Sequence, residues 1–144
     1  MKFKMPLNGF TSLCAPDAPI IISKDKKNPP KHVGKNKNRS YVTHYKIDGE
    51  VIQTGVRCDF LLINEDAMKA YLIELKGSDM LKAAEQLEAT EKRLRSQLAK
   101  YDINYRIVAN KCKTQQIDSS QFKKYKIKWK SKLICKVNLL EEFI

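Results

Sequence analysis

The sequence is poor in acidic residues, in histidine and in paired cysteines. It has 16 Asp and Glu against 28 Lys and Arg, which gives a net charge of +12 and a pI of about 9.6. A surface this basic attracts polyanions, most often nucleic acid. The 4 cysteines include no C-x-x-C pair, so we expect no cysteine metal site and thiols that stay reduced. His32 and His44 have no spaced partner, and we expect both to be exposed or in loops.

Long apolar runs are also missing. No stretch approaches the roughly 20 residues that a membrane-spanning helix needs. The first residues, MKFKMPLNGF, lack the apolar core of a signal peptide. We therefore expect a cytoplasmic protein with no membrane partner. The length of 144 residues, with 42% hydrophobic and 31% charged, predicts a single domain over residues 1–144.

Two stretches are rich in lysine. Residues 24–39 (KDKKNPPKHVGKNKNR) have too few apolar side chains to offset the entropy cost of ordering, so we predict a mobile basic loop. The second stretch spans residues 123–136. Both are candidates for binding phosphates without reading sequence. The candidate side chains are Lys24, Lys26, Lys27, Lys31, Lys35, Lys37, Arg39, Lys124, Lys126, Lys128 and Lys130.

Apolar and alternating runs in the middle of the chain predict strands and one helix. The predicted strands are residues 40–47, 51–56, 58–63, 70–75 and 104–109. Gly77 ends a strand, and Ser78 or Asp79 can cap a helix that begins at Met80. Apolar residues then recur at steps of three and four as far as Tyr101, which is typical of one helical face.

The last third of the chain is compatible with two structures. Lysines alternate with Tyr125, Ile127 and Trp129 as in a strand, but Phe122, Tyr125 and Trp129 also share one helical face. Tyr125 and Trp129 either stack on bases or face the core, and the pattern favours the core. Residues 133–137 and 139–144 are predicted to form a strand and a short closing segment.

Two carboxylates and a lysine lie in the central apolar runs. Asp59 interrupts CDFLLI, and an aspartate there is costly to bury without a partner. Glu74 and Lys76 end the next run, and residues two apart on a strand point to the same face. A hairpin that joins the two acids makes a site for a hard divalent cation. The alternative is a solvated Asp59 with an ion pair between Glu74 and Lys76.

This order of strand, strand, helix and strand resembles the PD-(D/E)xK nuclease superfamily. The resemblance covers about residues 51–109, and the matching residues are Asp59, Glu74, Leu75, Lys76 and Gln86. It implies an α/β fold with a restriction-endonuclease-like core, in which helices flank a central mixed sheet. The resemblance also implies a nuclease. It would belong either to a Holliday-junction-resolvase-like branch or to a phage or mobile-element branch.

The resemblance also implies a role for each matching residue. Asp59 and Glu74 hold Mg²⁺, for which Mn²⁺ substitutes, and the backbone carbonyl of Leu75 joins the metal shell. Lys76 assists the attacking water or stabilises the transition state, and Gln86 supports the site. The alternative for Gln86 is an ordinary polar position on a helix.

Two positions depart from the superfamily pattern. Cys58 stands where a proline usually precedes the aspartate. The superfamily usually supplies another glutamate from a helix near the N-terminus, and the sequence offers only Glu50, which follows a turn. A weakened active site is therefore an open alternative.

The expected function is metal-dependent hydrolysis of phosphodiester bonds in DNA rather than RNA, with structure-selective cleavage that leaves 5′-phosphate and 3′-hydroxyl ends. A homodimer, or a protein partner that supplies specificity, is compatible with so small a chain. The alternative is a non-catalytic protein on the same fold that binds nucleic acid or another protein.

Overall fold

The computed structural model describes residues 7, 9–26, 29–76, 78–111 and 118–144, and for Lys76 it describes only the backbone. Gly77, Lys27 and Cys112 therefore lie outside the described residues. In the described residues the chain forms eight strands, two α-helices and a short 3-10 helix. The elements are β1 (Ile20–Lys24), β2 (Lys31–Lys35), β3 (Val42–Lys46), β4 (Phe60–Asn64), β5 (Lys69–Lys76), α1 (Met80–Arg93), β6 (Asp102–Ala109), α2 (Ser120–Trp129), the 3-10 helix (Lys130–Lys132), β7 (Leu133–Val137) and β8 (Leu139–Phe143).

The strands form two mixed sheets. The central sheet has the order β3-β4-β5-β6-β7, with β3, β4 and β5 antiparallel and β6 and β7 parallel to β5. A small sheet has the order β1-β2-β8, in which β1 is antiparallel and β8 parallel to β2. The predicted α/β class is therefore confirmed.

Helix α1 connects the parallel strands β5 and β6, as parallel pairing requires. The Asp79 carboxylate accepts a hydrogen bond from the backbone N–H of Lys82 at 3.0 Å and so caps the first turn. The helix ends at Arg93, although the apolar periodicity continues to Tyr101. Leu98 and Tyr101 are still buried, but they follow the helix in a series of turns.

The lysine-rich segment after residue 118 is helical. Ser119 caps α2 by accepting a hydrogen bond from the Phe122 N–H at 3.2 Å. Trp129 is buried and stacks on Tyr105, with 3.9 Å between the ring centroids. The prediction that Trp129 faces the core is confirmed, and its ring is covered by protein. Tyr125 is half-buried against the same ring.

Two sequence predictions of secondary structure are wrong. Residues 31–35, expected within a loop, form β2, because β1 and β8 on either side supply the hydrogen bonds and inner-face packing that this polar segment lacks alone. Residues 51–56, expected to pair with β3, form turns with one isolated bridge between Asp48 and Ile52. Strand β3 pairs directly with β4 instead, with Lys46 opposite Phe60.

The small sheet packs against one side of the central sheet through apolar and polar side chains. Gly34 allows close contact, since a Cβ there would lie 2.8 Å from Leu62 Cδ2. His32 and His44 are both buried, which contradicts the expectation of exposed histidines. Each has found a partner on another strand: Ser23 Oγ lies 2.8 Å from His44 Nε2, and Glu142 Oε2 lies 2.7 Å from His32 Nε2.

Candidate metal and nucleic-acid site

Asp59 directly precedes β4, which begins at Phe60. The β4–β5 ladder ends where Phe60 pairs with Ile73, so Asp59 lies at the end of the ladder near Glu74. The Asp59 backbone is fixed there, because its N–H donates to Ile73 O at 3.2 Å and its carbonyl accepts from the Ile47 N–H at 2.8 Å.

The Asp59 carboxylate contacts the backbone and lies near other acidic side chains. Its Oδ2 accepts a hydrogen bond from the Leu75 N–H at 2.8 Å. Burial raises the pKa of the Asp59 carboxyl, and the charges of Asp48 and Asp25 raise it further, while hydrogen bonds with the Leu75 N–H and with Glu74 lower it. Among the described residues no basic side chain lies within ion-pair distance of Asp59. The carboxyl therefore lies in an environment that a bound cation would stabilise.

Glu74 and Leu75 lie near the end of β5. The Glu74 side chain is only 2% exposed, and it lies close enough to Asp59 to lower the pKa of the Asp59 carboxyl. Leu75 is also buried, and its N–H orients Asp59. Lys76 is the last residue of β5, but its side chain lies outside the described part of the chain. Its role and that of the Leu75 carbonyl stay predictions.

Helix α1 fixes the segment that precedes Asp59. Gln86 Nε2 donates to the Arg57 carbonyl at 3.0 Å, and the Cys58 N–H donates to Thr90 Oγ1 at 2.7 Å. Thr90 Oγ1 in turn donates to the Gln86 carbonyl at 2.9 Å. Gln86 thus acts on the site through the backbone two residues before Asp59. The contact made by Thr90 has no signal in the sequence.

A cleft of about 390 Å³ opens at Asp59. Its walls come from the ends of β1 and β3, the turn after β3 and the start of β4. The lining residues are Lys24, Asp25, Lys26, Lys46, Asp48, Asp59 and Phe60. Acids that can bind a cation and lysines that can bind a phosphate therefore share one surface.

Asp48 and Asp25 were missed as site residues in the sequence. Asp25 falls in the predicted basic loop, and Asp48 directly follows the strand predicted over residues 40–47. Pairing β3 with β4 would have placed Asp48 beside Asp59, because β3 ends where β4 begins. Asp48 also accepts a hydrogen bond from Arg57 Nε at 2.8 Å, which ties it to the segment before Asp59. Glu50, the acid considered from sequence, is exposed in a different cleft with Phe10 and Val51.

The candidate phosphate-binding lysines are divided among several surfaces. Lys24 and Lys26 line the Asp59 cleft, whereas Lys124 and Lys128 line a groove between α1 and α2. Three candidates have acidic partners: Lys35 with Glu141, Arg39 with Asp17 and Lys128 with Glu88. The remaining described candidates, which are Lys31, Lys37, Lys126 and Lys130, are exposed.

The carboxylate oxygens near the cleft are of the kind that a hard cation prefers, but there are few of them. Within the described ranges no group of three or more His, Cys, Asp or Glu side chains is arranged to hold a metal ion. Mg²⁺ is commonly held through one or two carboxylates and keeps several waters, so a site with few protein ligands is compatible with this ion. None of the helices in the described residues is long and apolar enough to cross a membrane.

Comparison of the chain with protein-family models, with curated proteins and with solved structures gave no match. The functional argument therefore depends on the geometry of the cleft and on the motif carried by β4, β5 and α1.

Proposed function

We propose that the chain is a metal-dependent nuclease with a restriction-endonuclease-like core, which hydrolyses phosphodiester bonds in DNA. The observation that carries the proposal is the Asp59 carboxyl at a cleft lined by lysines, with the buried Glu74 close enough to lower the pKa of Asp59. The order β4, β5, α1 and β6 supports it, because this is the order on which the PD-(D/E)xK resemblance depends.

In this proposal Asp59 and Glu74 hold Mg²⁺, with Mn²⁺ as a substitute. Such an ion supplies charge stabilisation for the phosphoryl oxygens and lowers the pKa of a water. Asp48 adds a third carboxylate at the cleft, in place of a glutamate from an N-terminal helix. The described residues before β3 form strands β1 and β2 and no helix that could carry such a glutamate.

The remaining groups orient the substrate. Lys24, Lys26 and Lys46 lie where they can contact phosphates beside the scissile bond. Lys76 assists the water that attacks phosphorus, and the bond to the 3′ oxygen breaks, so the products carry 5′-phosphate and 3′-hydroxyl ends. Gln86 positions the Asp59 strand through the Arg57 carbonyl.

The test is cleavage of single-stranded, duplex, flapped and four-way-junction DNA, and of RNA, in Mg²⁺, Mn²⁺ or EDTA. We expect cleavage that needs metal and falls by about a hundredfold or more in Asp59→Asn and Lys76→Ala, the range found when a group that stabilises the transition state is removed. Glu50→Gln is the matched control, because Glu50 is an exposed acid in another cleft, and it should cleave like the wild type.

Metal binding gives a second readout. Titration of Mn²⁺ by calorimetry should show a site in the wild type that Asp59→Asn loses and Asp48→Asn weakens. Because the pKa of Asp59 is raised, metal affinity should begin to fall at a higher pH than for an ordinary aspartate. Cleavage that is unchanged in Asp59→Asn would contradict the proposal.

A second candidate function is binding of nucleic acid without cleavage. The observation that favours it is the lack of a three-acid metal group in the described residues. Binding that is indifferent to metal, with no cleavage of any substrate, would establish this alternative. A homodimer, or a partner that supplies specificity, is compatible with either function.

A further inference from the structure

The small sheet has one face against the central sheet and one face in solvent. Alternation along β1, β2 and β8 defines the outer face, and the strand register arranges its side chains in three rows. The rows are Ile20–Lys35–Phe143, Ile22–Val33–Glu141 and Lys24–Lys31–Leu139. We call these nine residues the outer platform.

The outer platform is unusually apolar for a solvent-facing sheet. An antiparallel sheet with one solvated face normally carries polar residues there. Here Phe143 is 67% exposed and Ile20 is 57% exposed, and Ile22 and Leu139 are exposed as well. These are four of the nine exposed large hydrophobic residues in the described part of the chain. Concentrated apolar exposure of this kind marks a binding surface.

Two lysines on the outer platform oppose each other. Lys24 of β1 pairs directly with Lys31 of β2, and like charges in this position destabilise a sheet. Within the described residues neither has an acidic side chain at ion-pair distance. An anion between the two ammonium groups would relieve the repulsion. Phosphate is the anion that the basic composition of the chain suits.

The outer platform is continuous with the Asp59 cleft. Lys24 belongs to both, since it lines the cleft beside Asp25 and Asp59. The row with Phe143 lies four residues along the strands from the row with Lys24, about 13 Å away. A strand of nucleic acid that leaves the cleft would therefore cross the lysine pair first and the Phe143 ring last.

We propose that the outer platform binds an unpaired nucleic-acid strand, with phosphates at Lys24 and Lys31 and a base stacked on Phe143. An unpaired strand fits because its bases expose apolar ring faces, which aromatic side chains bind without reading sequence. A duplex keeps its bases stacked inside and would offer Ile20 and Ile22 only sugar and phosphate. The direction of the strand towards the cleft depends on the proposed function, but the binding itself does not.

A second copy of the chain fits the outer platform less well. Each copy carries Lys24, Lys31 and Lys35 against the single acid Glu141. Two such faces packed together would bury six lysines with two glutamates, and the excess positive charge opposes that contact. Charge complementarity therefore favours a polyanion.

The experiment measures binding of fluorescent oligonucleotides by anisotropy in EDTA, where no cleavage occurs. The substrates are a single strand and a duplex of the same sequence. Phe143→Ala should weaken binding of the single strand about fivefold or more, as expected when a stacked base loses its aromatic partner. Phe10→Ala, which removes an exposed aromatic ring elsewhere, is the control and should bind like the wild type.

Salt dependence tests the lysine pair separately. For single strands, each phosphate contact contributes about 0.7 to the slope of log affinity against log salt concentration. Lys24→Gln with Lys31→Gln should therefore reduce the slope by about 1.4. The control is Lys69→Gln with Lys92→Gln, which removes the same charge from exposed positions on β5 and α1 and should leave the slope unchanged.

Other outcomes would overturn the proposal. One is equal slope changes in both lysine pairs, which would indicate attraction by net charge alone. Others are preference for the duplex, no effect of Phe143→Ala, or a wild-type dimer in light scattering that Phe143→Ala dissociates. Asp59→Asn keeps the platform intact, so it should bind normally in EDTA even where it no longer cleaves. Failure of the nuclease proposal and failure of the platform therefore give different results.

Discussion

The two sides of the central sheet are held by different kinds of contact. On one side α1 and α2 pack apolar residues onto the strands, among them Met80, Leu87 and Phe122. On the other side the small sheet adds a buried polar network to the apolar contacts. The network consists of Ser23, His32, His44, Arg106 and Glu142. The helix side also has buried polar contacts, since Glu65 accepts hydrogen bonds from Thr43 and Tyr101. Both histidines lie on the other side, so stability there should depend more on pH between pH 4 and pH 7, and the loss of one polar group leaves its partners buried and unsatisfied.

The largest effect is expected at the ion pair in the polar network. Arg106 is 5% exposed, and its Nε and Nη2 donate to Glu142 at 2.7 and 2.9 Å. Breaking a buried pair by removing one partner typically costs about 3–5 kcal/mol, because the other charge stays buried. Arg106→Met should lower the free energy of unfolding by about this amount in urea denaturation at pH 7.

A double variant shows whether the stranded charge is the cause. Arg106→Met with Glu142→Gln removes both charges but keeps an oxygen that can accept from His32 Nε2. It should regain more than half of the lost free energy, since most of the penalty comes from the unpaired charge. A double variant no more stable than Arg106→Met would indicate that packing around the guanidinium matters more.

The helix side should respond by loss of packing alone. Leu87 of α1 is fully buried in the larger apolar cluster. Leu87→Ala should cost about 2–5 kcal/mol, and the cost should be the same at pH 5 and pH 7 because no titrating group is involved. A cost that changes with pH would show that the two sides of the sheet are coupled.

Acid should weaken the small-sheet side selectively. Burial, together with the nearby His32, lowers the pKa of His44 from 6.5 to about 4. The unfolded chain therefore binds a proton between pH 6.5 and pH 4 that the folded chain excludes. Stability should fall across this window by roughly 3 kcal/mol and level off below it.

His44→Gln isolates this effect. Glutamine can keep a hydrogen bond to Ser23 but does not titrate, so its unfolding free energy should lose the slope between pH 6.5 and pH 4. The raised pKa of Asp59 acts in the opposite direction, because a folded state that holds a proton more tightly gains stability on acidification. The difference between wild type and His44→Gln at each pH removes that contribution. Parallel curves would contradict the assignment to His44.

The helix side was also the part of the fold that could be predicted. Periodicity located α1, and apolar runs located β4, β5 and β6, because each buries a regular apolar face. The small sheet could not be found this way. Strand β2 (KHVGK) is largely polar, and its hydrogen bonds come from β1 and from β8, which follows more than a hundred residues later. The prediction that His32 and His44 are exposed or in loops is wrong for the same reason, since their partners lie on distant strands.

The residues of the candidate site also divide into those joined locally and those joined by distant strands. Asp59 and Glu74 could be paired from sequence because one hairpin joins them, and Glu74 lies close enough to lower the pKa of Asp59. Asp25 and Asp48 reach the cleft only through the true partner of β3 and the position of β1. These are long-range features, which a single sequence does not contain.

The smallest effect is expected at Asp59. Glu142 and Asp59 are both partly buried acids, but Glu142 is bound by Arg106 and His32, whereas no basic side chain of the described residues lies within ion-pair distance of Asp59. Asp59→Asn keeps an acceptor for the Leu75 N–H and removes repulsion with Asp48. In EDTA its free energy of unfolding should therefore stay within about 1 kcal/mol of the wild type or rise, as is common where function costs stability.

Bound metal should make the wild type more stable than Asp59→Asn. Mn²⁺ should raise the melting temperature of the wild type by binding the folded state and should leave Asp59→Asn unchanged. Glu50→Gln, which changes an exposed acid outside the cleft, should still gain from the metal. If Asp59→Asn loses much of its stability without metal, Asp59 is a structural residue like Glu142. If the loss of stability is small and the response to Mn²⁺ disappears, Asp59 serves to bind a ligand rather than to stabilise the fold.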